Sequence, residues 1–141
     1  YVEMQWLMLQ QDRPEDFVIA TGRQISVRDF VDLAANNLGI ELEWVGKGVD
    51  ELAKVRSVET HDIAKHLAIG TPVVRVDPRY FRPAEVATLL GDPAKAHEKL
   101  GWTPSISLEQ MIQEMVDSDF RESQKERLLI DAGFEVNGSN E

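Results

Sequence analysis

The stretch from residue 26 to residue 45 constrains the fold most. Ser26 offers a helix N-cap, and Val27, Phe30, Val31, Ala34, Ala35 and Leu38 recur at the spacing that gathers them on one helical face. Gly39 is expected to stop this helix, since glycine accepts the left-handed backbone that closes a last turn. The period then changes from helical to alternating. Ile40, Leu42 and Trp44 alternate with Glu41 and Glu43, the pattern of a half-exposed strand ending at Gly46. Upstream, Phe17-Val18-Ile19-Ala20 is too short for a helix and runs into Thr21-Gly22, so it is expected as a buried strand. Strand, helix and strand in succession predict an α/β fold.

The flanks follow by the same rules. Val2, Trp6 and Leu9 have helical spacing and stop at Gln10-Gln11-Asp12-Arg13-Pro14. After Gly46-Lys47-Gly48, expected as a turn, residues 52–58 suggest a short strand, and 61–69 carry mixed charge without a clear period. Val73 to Val76 is expected as a strand ended by Pro78, and Pro83 stands where a helix can begin. Asp92 and Pro93 read as the N-cap and first residue of a short helix ending at Leu100-Gly101. Ser107 caps a longer helix whose inward stripe is Leu108, Met111, Ile112, Met115, Val116 and Phe120, with Leu128 and Leu129 extending it. Trp6, Met111 and Met115 are expected as core by position, and residues 137–141 as a frayed tail.

A net charge of −10 over 141 residues disfavours partners such as nucleic acid or an anionic membrane surface. No apolar run approaches the roughly 20 residues of a membrane span. The chain has no cysteine, which excludes disulfides, a thiol nucleophile and cysteine-held zinc, and agrees with a cytoplasmic setting. It opens Tyr1-Val2-Glu3-Met4 inside a helical pattern, which leads us to expect a fragment of a longer protein.

Against this acidic background, Arg75, Arg79 and Arg82 fall within eight residues, in Val73-Val74-Arg75-Val76-Asp77-Pro78-Arg79-Tyr80-Phe81-Arg82-Pro83-Ala84-Glu85-Val86. Arginine grips phosphate through a flat, permanently charged fork, so this stretch suggests an anionic ligand. If Pro83 opens a helix, Arg82 and Glu85 share a face of its first turn, Arg82 suited to a phosphate and Glu85 to a ribose diol. Local structure offers a second reading, in which Glu85 is a carboxylate in the first helical turn, paired with its neighbouring arginine. Arg75 and Arg79 taken singly read as surface charges, and Tyr80 and Phe81 as packing residues. His61, His66 and His97 are scattered, so no metal site is expected. The chain has neither a glycine-rich phosphate loop, nor a tyrosine followed four residues later by lysine, nor a Gly-x-Ser-x-Gly elbow. Binding groups are present without a reaction centre.

These residues carry a resemblance. Phe17-Val18-Ile19-Ala20-Thr21-Gly22, Ser26-Val27-Arg28-Asp29-Phe30, the segment from Val76 to Val86, Leu90-Gly91-Asp92-Pro93-x-Lys95-Ala96 and Leu100-Gly101-Trp102-x-Pro104 together resemble the GDP-mannose 4,6-dehydratases of the extended short-chain dehydrogenase/reductase family. The likeness runs from Tyr1 to about Phe120. It implies a small C-terminal substrate-binding lobe of an extended Rossmann-type nucleotide-sugar enzyme, spanning residues 1–136 with a flexible tail at 137–141. In the family, an N-terminal domain holds NADP, oxidises C4 of the mannose, removes water across C5 and C6, and returns the hydride to C6. None of that machinery has a matching position here, so no catalytic, cofactor-binding or metal residue is expected on this chain, which alone would be inactive. Arg82 matches the family arginine on the nucleotide diphosphate, and Glu85 the glutamate on its ribose; Arg28 matches a family pattern without an assigned contact. The resemblance implies GDP-mannose as ligand and a homo-oligomeric parent enzyme. Two other readings stay open: a fragment of another nucleotide-sugar epimerase or dehydratase, and a non-catalytic module that binds a nucleotide or a protein.

Overall fold

A computed structural model describes residues 1–135 apart from His61, Asp62, Ala64, Pro83, Glu85 and Ala87. The described elements are α1 (Val2–Leu9), α2 (Val27–Asn37), β1 (Ile40–Val45), a single 3-10 turn (Gly48–Asp50), β2 (Leu52–Val58), β3 (Pro72–Arg75), α3 (Ala94–Leu100) and α4 (Leu108–Asp131). The fold is α/β, and its sheet is antiparallel throughout, with β2 between β1 and β3.

The centre of the molecule is the α2–β1–β2 unit, in which α2 and β1 lie where the sequence pattern predicts. α2 starts in a capping box: the Asp29 N–H donates to Ser26 Oγ at 3.0 Å, and the Ser26 N–H donates to the Asp29 carboxylate at 3.1 Å. Hydrogen bonds from the Ser26 side chain and backbone hold the Asp29 carboxyl below its usual range. The helix is then tied to the sheet by Trp44 Nε1, which donates to Asp32 at 2.8 Å. β1 turns back into β2 through Gly46, whose φ of 83° and close approach to Asp50 leave no room for a side chain. Along β2, Ala53 and Val55 point to one face and are buried, as period-two geometry requires.

α4 opens with a second capping box. Gln110 N–H donates to Ser107 Oγ at 3.1 Å, and Ser107 N–H to Gln110 Oε1 at 2.9 Å. Its 24 residues make a rod about 36 Å long. Ile112 is buried and Leu108 and Val116 are half-buried, but every residue from 117 to 131 is exposed.

Several expectations are corrected. Residues 17–20 form no strand, because a strand exists only by hydrogen-bonding a neighbour and none is offered among the described residues. They lie instead against the approach to α3: a Cβ on Gly91 would stand 2.7 Å from Ala20 and 3.1 Å from Val18, and Lys95 Nζ donates to the Asp16 carbonyl at 2.8 Å. Trp6, Met111 and Met115 are exposed by 59%, 41% and 49%, since nothing described covers their side of α1 and α4. Among the described residues that follow Pro83 no helix begins before α3, Ala84 being in a turn and Val86 in no regular element; both readings of Glu85 fall on a residue outside those described. Finally, α3 starts one residue later than expected, with Pro93 at the cap and Asp92 accepting the Ala94 N–H at 2.9 Å. β3 likewise runs one residue earlier than the predicted 73–76.

The buried apolar residues among those described are Met4, Ala53, Val55, Ala96 and Ile112. The accessible surface of 11,555 Å² compares with about 7,300 Å² for a compact monomer of this mass. Large apolar side chains are among the exposed residues, with Tyr1, Val2, Leu9, Leu89 and Leu128 all more than two-thirds exposed.

Candidate functional site

The arginine-bearing segment leaves the sheet from β3. Leu52 pairs with Arg75 and Ala53 with Val74, and just past the ladder the Val76 N–H donates to the Glu51 carbonyl at 3.3 Å. The chain thus emerges at a fixed place beside the β1–β2 turn. Asp77 then organises residues 78–81. Its Oδ1 accepts the Arg79 N–H at 2.9 Å across Pro78, a residue with no N–H of its own and a preset φ. The carboxylate also takes the Arg79 side chain by two nitrogens, Nε at 3.0 Å and the terminal nitrogen at 2.6 Å. Two backbone bonds continue the turn: Tyr80 N–H to the Asp77 carbonyl at 3.0 Å and Phe81 N–H to the Pro78 carbonyl at 3.4 Å.

The electrostatics follow the geometry. Hydrogen bonds from the Arg79 side chain hold the Asp77 carboxyl below the usual carboxylate range, and the same contact raises Arg79 above its ordinary value. The Arg79 guanidinium also lies 5.5 Å over the Tyr80 ring.

Arg82 comes directly after this double turn and is exposed. Its expected partner Glu85 lies outside the described residues. Arg75 and Arg79 are both at the surface as expected, but Arg79 is committed to Asp77. Tyr80 and Phe81, expected to pack, are 76% and 45% exposed. Arg28 is engaged structurally: it pairs with Glu51 and lies 5.3 Å over the Trp44 ring, joining α2 to β1 and to the entry of β2. Among the described residues no cluster of histidine or carboxylate side chains suits a metal ion.

Two open hollows flank the sheet and helices. One, of about 420 Å³, is lined by residues of the α3 region including Asp92, His97 and Trp102; the other, of about 250 Å³, is apolar and lies between α2, the sheet and Val116 of α4. Arg82 lines neither. Sequence reasoning missed Asp77, although Asp-Pro-Arg is a readable turn signal: an aspartate whose side chain can hydrogen-bond the backbone two residues on, followed by proline.

Comparison with known proteins gives the relationship. The family model described as GDP-mannose 4,6 dehydratase matches residues 1–115, more than three-quarters of the chain. This chain belongs to the GDP-mannose 4,6-dehydratase family. It is 59% identical over its whole length to a GDP-mannose 4,6-dehydratase of Vibrio cholerae, covering 38% of that protein. A GDP-mannose 4,6-dehydratase of Yersinia enterocolitica is 57% identical over 96% of this chain, covering 36% of the relative. The human GDP-mannose 4,6 dehydratase is 42% identical over 84% of the chain, covering 29% of the relative. The chain therefore spans little more than a third of the length of the curated bacterial relatives it matches. No described helix is long and apolar enough to cross a membrane.

Proposed function

We propose that residues 1–136 are the GDP-sugar-binding portion of a GDP-mannose 4,6-dehydratase, with Arg82 on the diphosphate and Glu85 on the ribose, and 137–141 a tail. The observation that carries this reading is the family match over residues 1–115, which includes the whole arginine segment. Supporting it, the segment is ordered up to Arg82 by the Asp77 turn, and Arg82 is at the surface, where a diphosphate can reach it. A guanidinium presents paired N–H donors in a plane that matches two phosphate oxygens, so the grip selects geometry as well as charge. Glu85 would accept hydrogen bonds from both ribose hydroxyls.

The parent reaction would be loss of water from GDP-mannose to give GDP-4-keto-6-deoxy-mannose, which places that protein among the lyases. The NADP of that reaction does not fit these residues: among those described, no strand runs through a glycine-rich turn into an α-helix. The part of this chain is to hold the nucleotide end of the substrate while residues outside it act on the sugar. A homo-oligomeric, cytoplasmic parent protein belongs to the same reading.

The test is a chimaera in which these 141 residues replace the stretch they match in the Vibrio cholerae relative. It should consume GDP-mannose, and GDP should compete better than UDP or dTDP. Arg82→Ala should weaken GDP binding by about 1.5–3 kcal/mol, roughly 10- to 150-fold. A folded chimaera that leaves GDP-mannose untouched would refute the assignment, and unchanged GDP affinity in the variant would remove Arg82 from the site.

A further inference from the structure

Arg28 is the one basic residue of α2, and it stands in the first turn, where the helix dipole disfavours a cation. What offsets that cost lies outside the first turn. The guanidinium pairs with Glu51 and lies 5.3 Å over the Trp44 ring, and Trp44 Nε1 is itself tied back to Asp32 of α2 at 2.8 Å. Glu51 is the more enclosed partner, its side chain 22% exposed against 53% for Arg28. It also carries a second connection. Its backbone carbonyl accepts the Val76 N–H at 3.3 Å, at the point where the arginine-bearing segment leaves the sheet. The backbone by itself holds Glu51 loosely: the bonds that close the preceding turn, Asp50 N–H to the Lys47 carbonyl and Glu51 N–H to the Gly48 carbonyl, are 3.2 and 3.3 Å, at the long end for such bonds. The side chain supplies a further tether.

We propose that Arg28 and Glu51 are a positioning pair for substrate binding: by fixing the Glu51 peptide against α2, the pair sets where Val76 and the segment beyond it leave the sheet, and so where Arg82 meets the anionic part of the substrate. This rests on the reading of Arg82 as the diphosphate contact. The physical gain is preorganisation, because a segment whose origin is fixed before the ligand arrives has less freedom to lose on binding. Neither member of the pair touches the ligand in this account. The acidic Glu51 thereby favours the binding of an anion, against the sign of its own charge.

The opposite charges of the pair make the test a matter of sign. Acting through their fields alone, Arg28→Ala would weaken GDP binding and Glu51→Gln would tighten it. A positioning pair requires both to weaken it. In the Vibrio cholerae chimaera each variant should raise the GDP dissociation constant and the KM for GDP-mannose roughly three- to fivefold, about what a partly exposed ion pair is worth, with kcat within about twofold. The double variant should bind GDP no more than about twofold worse than either single one, because a pair is broken only once. The Val76 amide should exchange faster in all three. Thermal melting reports whether each variant folds; a pair that serves stability alone would lower the melting temperature and leave the GDP affinity of the folded protein unchanged. If Arg28→Ala does not fold, Glu51→Gln carries the sign test by itself. Wild-type or tighter GDP binding in folded Glu51→Gln, alongside a weakened Arg82→Ala, would overturn the proposal and leave the Arg82 reading intact. So would penalties that add in full in the double variant. Unchanged affinity in Arg82→Ala would overturn both, and that single variant distinguishes the two failures.

Discussion

Replacing Gly46 by alanine should disrupt the β1–β2 connection far more than the same change two residues later at Gly48. Both glycines have positive φ, 83° and 61°, so both alanines meet the left-handed penalty of about 1–2 kcal/mol. Only at Gly46 is there also a collision. A Cβ there would lie 2.2 Å from the Asp50 carbonyl oxygen and 2.9 Å from its carbon, whereas at Gly48 it meets nothing within 4 Å. To reach ordinary contact the Asp50 backbone must retreat by about 1 Å or more. That movement breaks two bonds that close the 3-10 turn, Asp50 N–H to the Lys47 carbonyl at 3.2 Å and Glu51 N–H to the Gly48 carbonyl at 3.3 Å. At about 1 kcal/mol each, the total for Gly46→Ala is about 3–4 kcal/mol, against about 1–2 for Gly48→Ala. Hydrogen exchange read by mass spectrometry on the chimaera tests the difference: amides of β2 should open roughly 30-fold more often in Gly46→Ala than in Gly48→Ala. The Val76 amide, bonded to Glu51, should lose protection in step. Equal protection in the two variants would refute the steric argument.

Core and surface positions on α4 should separate in the same way: Ile112→Ala, at a fully buried site, should destabilise by about 2–5 kcal/mol, and Met115→Ala, half exposed, by less than about 1 kcal/mol, as read from thermal or urea unfolding. Comparable losses would mean that α4 does not pack by the face described. Acid should weaken the fold through Glu15, Asp29 and Glu109, whose carboxyls are lowered by hydrogen bonds from Lys99, Ser26 and Arg23 respectively. A lowered folded-state value means that the unfolded chain binds protons more readily, so this stability is present above the ordinary carboxylate values of about 4 and is lost as pH falls through the folded values. Urea midpoints should therefore fall below about pH 4, and Glu109→Gln should shrink that fall; an undiminished fall in the variant would remove the Arg23 pair from the account.

The elements legible in the sequence were those whose signal is local. Ser26 and Ser107 announced both helix N-caps, and the change of period at Gly39 located β1 to the residue. The signal failed where the outcome depends on a neighbour. Phe17-Val18-Ile19-Ala20 has strand composition, but composition supplies no hydrogen-bonding partner. Met111 and Met115 have the spacing of an inward stripe, but spacing does not say how far along a helix the covering layer extends. In the candidate site the arginines were visible as a cluster, and the turn that holds Arg79 was not. It depends on the Asp77 carboxylate reaching both the backbone and the side chain of Arg79, which is a property of the folded turn.

The long-range contacts of the N-terminal segment also bear on synthesis. Arg23 pairs with Glu109, 86 residues later, and Glu15 and Asp16 take their lysines from 84 and 79 residues downstream. At about 5–20 residues per second, a ribosome leaves residues 15–23 waiting roughly 4–16 s for those partners. The α2–β1–β2 unit, made of consecutive pieces, needs no such wait. During translation this chain would hold a formed centre while residues 15–23 still lack the partners that α3 and α4 supply.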